Sequence, residues 1–123
     1  MHDELIDLTE QLLHSIANRD WETYENLCDP SLTAFEEEAC GHLVEGMDFH
    51  RFYFELESAN LAQQTTLVQP HVRILGSDVG VVCYNRLTQK VDSDGKPIST
   101  STEETRIWQL QDGVWKHVHF HRS

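Results

Sequence analysis

The fold is decided by the C-terminal stretch at residues 79–123, which reads VGVVCYNRLTQKVDSDGKPISTSTEETRIWQLQDGVWKHVHFHRS. Apolar residues recur at every second position in three segments of this stretch: residues 81–89, 102–110 and 114–122. This period is that of β-strands, whose side chains alternate between two faces. Each segment also carries one arginine: Arg86, Arg106 and Arg122. We therefore predict three consecutive strands with a cation among the apolar positions of each.

The turn at residues 111–113 decides whether these cations share a face. A two-residue loop at Asp112-Gly113 leaves Arg106 and Arg122 on opposite faces of the hairpin. A three-residue loop, with Gly113 in the left-handed conformation of a G1 bulge, places them together. We favour the three-residue loop because it sorts the apolar residues better, and register follows the hydrophobic pattern.

The favoured register predicts the two faces of the last hairpin. It pairs Leu110 with Val114 and Arg106 with Val118. Its inner face carries Glu104, Arg106, Trp108, Leu110, Val114, Lys116, Val118, Phe120 and Arg122. Its outer face carries Ile107, Trp115, His117, His119 and His121. An outer face with this apolar content suits contact with a second subunit.

The composition limits the classes of function. The formal net charge is −12 at pH 7, which argues against nucleic acid, whose binding needs a basic face. No apolar run approaches the length of a membrane span, and the acidic first helix is unlike a signal peptide. Three scattered cysteines favour reduced thiols. We expect a cytoplasmic protein with no nucleic-acid or membrane partner.

The first half of the chain is predicted to be mainly helical. The first helix has the stripe Leu5, Leu8, Leu12 and Ile16, and Asp20 caps a short second helix. A third helix, at residues 47–58, has the stripe Phe49, Phe52, Tyr53 and Leu56, with His50 at its edge. Further strands are predicted at residues 32–35 and 65–75, with an edge or bulge at Pro70. The result is a single α+β domain over residues 1–123, in which three helices pack on a curved antiparallel sheet and form a cone.

The predicted pocket of this cone contains the three arginines, and two interpretations of them remain open. Guanidinium groups bind carboxylate or phosphate, so the pocket can accept an anion. Alternatively, Glu36, Glu103 or Glu104 neutralise them internally. Other chemistry has little support, because no nucleophile elbow, phosphate loop or zinc motif is present. Asp48, His50 and Tyr53 are the candidates for acid–base work, and we predict no metal and no cofactor.

Several long motifs resemble the association, or hub, domain of calcium/calmodulin-dependent protein kinase II. They are DP at residues 29–30, TAFE at 33–36, LVEGMDFHRFYF at 43–54, RLTQ at 86–89, EETRIW at 103–108 and VHFHRS at 118–123. This resemblance implies a nuclear transport factor 2-like (cystatin-like) cone that assembles with copies of itself into stacked rings and is not itself an enzyme. The kinase domain or regulatory segment of the same protein is then a further partner.

The resemblance also implies the residues of the pocket. Arg86, Arg106 and Arg122 match the family's pocket arginines, and His50 matches a histidine there, with Tyr53 on the same helix. The family likeness thus implies that a small carboxylate binds in this pocket. The alternative function is a small pocket enzyme of the same fold, of the SnoaL-like cyclase or ketosteroid isomerase type, because this fold hosts both classes.

Overall fold

The computed structural model describes residues 1–56 and 63–123. Its elements in chain order are α1 His2–Ala17, α2 Trp21–Leu27, β1 Cys28–Phe35, β2 Val44–Glu45, α3 Asp48–Glu55, β3 Gln63–Leu75, β4 Val79–Val91, β5 Pro97–Gln111 and β6 Val114–Arg122. A short 3₁₀ turn, Glu37–Ala39, follows β1. The third helix ends at Glu55, with Leu56 already extended, so it is shorter than predicted. Its predicted end at Ser58 lies outside the described residues. The α+β class, with three helices and a six-stranded sheet, is confirmed.

The sheet has the strand order β2-β1-β6-β5-β4-β3. Its neighbouring strands pair antiparallel except β1 and β6, which run parallel. Long strands joined by short hairpins account for the antiparallel part. β1 and β6 lie far apart in the sequence, with a helix and four strands between them, so they can pair in parallel. Alternation within a strand does not predict this pairing.

Helix α1 covers the inner face of this sheet. Leu5 and Leu12 are fully buried, and Trp108 on β5 donates a hydrogen bond from Nε1 to Thr9 Oγ1 over 3.2 Å. The backbone approaches closely at Gly80, where an added Cβ would stand 2.2 Å from Leu5 Cδ1. A side chain at this position would have to displace Leu5, so glycine allows the helix to pack closely on β4.

The last hairpin corrects the predicted loop. It has a two-residue loop, since Gln111 pairs with Val114 and Leu110 pairs with Trp115. Both loop residues have positive φ, 51° at Asp112 and 82° at Gly113, as a tight type I′ turn requires. The backbone twist of a type I′ turn matches that of the flanking strands. The sorting of apolar residues, which favours the three-residue loop, does not take this twist into account.

A β-bulge in β6 restores the arginines to one face. Trp108 pairs with His117, but its neighbour Ile107 pairs with His119, so Val118 is an extra residue in β6. One extra residue inverts the alternation beyond it. Arg106 consequently pairs with Phe120, and Arg122 lies on the same face.

The predicted assignment of side chains to the two faces is wrong before the bulge. Trp115 and His117 are buried on the inner face, with 6% and 0% of their surface exposed, and Val114 is 54% exposed. Lys116 lies on the outer side and donates to the carbonyl of Asn26. The tight turn causes this inversion, because it shifts the strand by one residue relative to the predicted register.

The predicted apolar stripe of α3 is right for Phe49 and Tyr53, which are partly buried, and wrong for its other two residues. Phe52 is 60% exposed and Leu56 is 44% exposed, whereas His50 is 5% exposed. The helix instead presents positions 50, 53 and 54 to the sheet, a spacing of three and four residues that forms one helix face. On β3, the predicted bulge at Pro70 is confirmed by a register shift between Val68 and His71.

Candidate functional site

A small cavity lies between the helices and the inner face of the sheet. Its volume is about 100 Å³, and it is lined by Ile16, Tyr24, Glu36, Glu38, His50, Tyr53, Phe54, Arg86, Arg106, Phe120 and Arg122. The five residues that the sequence nominated for a pocket all line this cavity. The sequence did not nominate Tyr24, Phe54 or Phe120 as lining residues, although Phe120 shares the predicted face of Arg122.

Strand register brings the cations together from three different strands. Arg106 on β5 lies opposite Val82 on β4 and Phe120 on β6. Two residues earlier on β5, Glu104 lies between Tyr84 on β4 and Arg122 on β6. Paired residues share a face, so these side chains point to the cavity side of the sheet.

Glu104 is the central acceptor of the site. Its side chain is fully buried, and Oε1 accepts hydrogen bonds from Tyr84 Oη at 2.7 Å and from Arg106 Nη2 at 2.9 Å. Its Oε2 accepts from Thr102 at 2.9 Å. Burial alone would raise the pKa of Glu104, but the two neighbouring guanidinium groups lower it, so the group stays ionised.

Hydrogen bonds and an aromatic ring surround the guanidinium group of Arg106. Its Nε donates to Tyr84 Oη at 2.7 Å, and its guanidinium carbon stands 4.6 Å from the centroid of the Phe120 ring. The residue is 1% exposed. Burial opposes its charge, yet Tyr84 and Glu104 together raise the pKa of Arg106. Arg106 therefore organises the inner wall of the cavity and has little capacity left for a ligand.

Arg86 is less completely paired. Its Nε lies 2.8 Å from Glu104 Oε2, but the N–H is not directed at that oxygen and has no acceptor among the described residues. Its two terminal nitrogens likewise form no hydrogen bond within residues 1–56 and 63–123. The side chain is 14% exposed at the cavity wall.

Arg122 is paired with two carboxylates from the segment after β1. Its Nη2 lies 3.4 Å from Glu36 Oε2 and contacts Glu38 Oε1 more closely. Burial raises the pKa of Glu36 despite Arg122. The other oxygen of Glu36, Oε1, lies 3.4 Å from His50 Nδ1 and accepts no hydrogen bond from any described residue.

The charges of the cavity balance at neutral pH. Burial and then the nearby arginines lower the pKa of His50 to about 4, so its ring is neutral. The three arginines face three glutamates: Glu36, Glu38 and Glu104. Internal neutralisation, which the sequence left open beside the anion-accepting pocket, is therefore present, with Glu36 and Glu104 among the partners foreseen and Glu38 not.

Beneath the cavity, His117 joins Arg106 to a buried thiol. Arg106 Nη1 lies 3.4 Å from His117 Nε2, and His117 Nδ1 lies 3.4 Å from Cys28 Sγ. Because guanidinium only donates, His117 accepts through Nε2 and carries its proton on Nδ1. Burial lowers the pKa of His117 and raises that of Cys28 to about 12, so both groups are neutral.

The other candidates are not brought together. His119 and His121 lie on the outer face and His117 on the inner face, so the three cannot converge on a metal. In the described part of the chain, no three His, Cys, Asp or Glu side chains form a cluster suited to a metal ion. Asp48 is exposed and does not line the cavity. Within the same ranges, no helix is long and apolar enough to cross a bilayer.

A helix-covered, curved sheet with an inner cavity defines the class of protein. A solved nuclear transport factor 2-like protein from Cytophaga hutchinsonii shares this fold with a TM-score of 0.78 at 22% identity, covering 100% of this chain and 97% of that one. At this identity the likeness concerns the fold alone. The nuclear transport factor 2-like fold predicted from the sequence is confirmed.

The particular family follows from closer relatives. The family model for the calcium/calmodulin dependent protein kinase II association domain matches residues 1–123. The chain is 53% identical over 122 residues to the delta subunit of this kinase from Oryctolagus cuniculus, covering 98% of this chain and 23% of that protein. The solved hub homology domain from Chlamydomonas reinhardtii superposes with a TM-score of 0.94 at 48% identity, covering 98% and 95%. The chain belongs to the calcium/calmodulin-dependent protein kinase II association domain family.

Membership in this family supports a role in oligomerisation. The association domain is the non-catalytic hub of the kinase, whose kinase activity lies in a separate domain. The chain spans less than a quarter of the curated relative, at 23% of its length. The pocket enzyme considered as an alternative is not supported by these relatives.

Proposed function

We propose that residues 1–123 form one association domain that assembles with copies of itself into a closed, stacked-ring hub. The single observation that carries this proposal is the family match across all of these residues. In a longer protein, the further partners are its own kinase domain or regulatory segment. The cytoplasmic location expected from the cysteines remains a prediction.

The outer face of the sheet is the proposed surface of assembly. Its exposed apolar side chains belong to strands across the whole sheet: Phe35 at 39%, Val68 at 37%, Leu75 at 49% and Val114 at 54%. Trp115, which the sequence assigned to this face, is instead part of the core. Burial of these side chains against a second copy would remove their apolar surface from water, which is favourable.

Native mass spectrometry tests the assembly. We expect a closed ring of about a dozen subunits at micromolar concentration. Phe35→Glu on the outer face should reduce the mass to small oligomers, because it buries an unpaired charge. Phe52→Glu, on the exposed face of α3, is the matched control and should keep the ring. A wild-type monomer or dimer, or an equal effect of the two variants, would contradict the proposed surface.

We also propose that the cavity accepts a small carboxylate. Arg86 and Arg122 are the proposed anion contacts, His50 and Tyr53 form the helix side, and Arg106 holds the wall. Two buried nitrogens without a hydrogen-bond partner among the described residues support this: His50 Nε2 and Arg86 Nε. A cavity of about 150 Å³ holds benzene, so one of about 100 Å³ suits the carboxylate end of a short acid such as acetate or butyrate.

Titration with sodium butyrate tests the pocket. A charge-assisted hydrogen bond contributes about 1.5–3 kcal/mol, so binding should be weak and should decrease with added salt. Arg86→Gln should abolish binding while the ring remains intact. Arg73→Gln, an exposed arginine of β3, is the matched control and should bind as the wild type does. No calorimetric or thermal response of the wild type at millimolar butyrate would rule out the pocket.

A further inference from the structure

The two carboxylates on Arg122 differ in depth. The side chain of Glu36 is 8% exposed, whereas that of Glu38 is 38% exposed. Both contact Nη2 of Arg122, and Glu38 does so at the shorter distance. Glu36 is therefore the inner partner of the arginine and Glu38 the outer one, in contact with solvent.

Glu38 stands at the mouth of the cavity. Outside the cavity lies a wider groove of about 620 Å³. Four residues line both spaces: Ile16, Glu38, Arg86 and Arg122. An anion that enters from the groove thus reaches Arg122 where the carboxylate of Glu38 already lies.

The charge balance of the cavity means that the position of Glu38 decides whether a ligand carboxylate can bind. With Glu38 in place, three arginines face three glutamates, and a further carboxylate would add an uncompensated negative charge to a partly buried site. Such a charge is costly away from water. With the Glu38 carboxylate in the groove, the cavity carries one positive charge, which a monocarboxylate neutralises.

We propose that Glu38 is a built-in competitor that occupies the ligand's place on Arg122 and is displaced into the groove when a carboxylate binds. This inference rests on the proposed carboxylate pocket and adds the regulation of that pocket. It explains how an internally neutral site accepts an anion. It also sets the affinity, because the pocket is competent only in the fraction of molecules whose Glu38 has turned away.

The surroundings of Glu38 allow this displacement. Its 3₁₀ turn is closed by backbone hydrogen bonds, from Ala39 N to Glu36 O and from Cys40 N to Glu37 O, so the turn does not depend on the Glu38 side chain. The partly exposed carboxylate regains water in the groove. Meanwhile Arg122 keeps the buried carboxylate of Glu36 as a partner and stays in position.

Burial and Arg122 act in opposite directions on the Glu38 carboxyl. Burial favours its neutral form, but the hydrogen bond and charge of Arg122 lower its pKa overall. The carboxylate is thus ionised and attracted to the arginine at neutral pH. It competes with an external carboxylate through the same contact.

Isothermal titration of the assembled chain with sodium butyrate tests the competition. Glu38→Gln keeps the size of the side chain but removes its charge, and butyrate should bind about tenfold more tightly. Glu37→Gln is the matched control, because Glu37 is exposed, adjacent and absent from the ion pairs of the described residues. It should change the affinity less than twofold. Butyramide, the uncharged analogue, should gain nothing from Glu38→Gln.

The outcomes separate this inference from the pocket itself. Butyrate binding by the wild type with equal affinities for the Glu38→Gln and Glu37→Gln variants would overturn the competition and leave the pocket. No binding by the wild type or any variant would overturn both. A crystal structure of the wild type with butyrate gives a second test that needs no variant. It should show the Glu38 carboxylate away from Arg122. If Glu38 still contacts Arg122 while butyrate is bound, displacement is refuted.

Discussion

Glu104 and Arg106, two residues apart on one strand, form a buried ion pair with 2.9 Å between Oε1 and Nη2. Both point to the cavity side of β5 because residues at i and i+2 share a face. Glu104 also lies 2.8 Å from Arg86 Nε, so one carboxylate serves two guanidinium groups. The stability of the inner wall therefore depends on Glu104.

Glu104→Gln should strongly destabilise the protein. The change leaves Arg86 and Arg106 without their shared counterion, and loss of one partner of a buried pair costs about 3–5 kcal/mol. Urea unfolding at fixed protein concentration measures the loss. Glu103→Gln, the exposed neighbour on the outer face, should stay within about 0.5 kcal/mol of the wild type. Similar midpoints for the two variants would show that Arg106 is satisfied without Glu104.

Mild acid should destabilise the fold through its buried histidines. Burial lowers the pKa of His50 to about 4 and lowers that of His117, whereas the unfolded histidine has a pKa of about 6.5. The unfolded state then binds more protons, so the free energy of unfolding falls as pH drops below about 6.5. The slope is up to about 1.4 kcal/mol per pH unit for each histidine.

Denaturation at several pH values between 7.5 and 4.5 measures this slope. His50→Gln should reduce it by about one proton, and His2→Gln, an exposed control, should leave it unchanged. Glu36 acts in the opposite direction, because burial raises its pKa and protonation near its ordinary value of about 4.3 favours the folded state. A slope that is independent of His50 would contradict the prediction.

Gly80→Ala should loosen the packing of α1 on β4. The added methyl would stand 2.2 Å from Leu5 Cδ1, and Leu5 is fully buried. Overpacking of this kind costs about 1–3 kcal/mol. In a Leu5→Ala background the same substitution should cost much less, since the clashing atom is gone. Equal costs in the two backgrounds would indicate a cause other than this contact.

Gly113→Ala should destabilise the last hairpin. Its φ of 82° is unfavourable for a residue with a Cβ, by about 1–2 kcal/mol. Asp112→Asn is the matched control, because asparagine is favoured at the first position of this turn, where φ is 51°. Thermal unfolding should show a loss for the first variant and none for the second. A loss for both would argue against the tight turn.

The sequence by itself determined the class of fold and the three arginines of the cavity. Helical periodicity before long alternating strands predicted the α+β layers, and Pro70 predicted the bulge in β3. Alternation within an unbroken strand placed Tyr84 with Arg86, and Glu104 with Arg106. The family motifs implied the same arginines. These inferences hold because local period and backbone geometry need no knowledge of distant residues.

Tertiary structure alone decided the relation between strands. Alternation relates residues only within one uninterrupted strand, and each turn or bulge resets it. The tight turn at Asp112-Gly113 and the extra residue Val118 each invert the pattern, so Arg122 reaches the predicted face by a different route. The segment of β6 between the turn and the bulge has the opposite orientation to the predicted one, so Trp115 and His117 are buried. β6 must pair with β5 on one side and β1 on the other, and that joint requirement is absent from the local pattern.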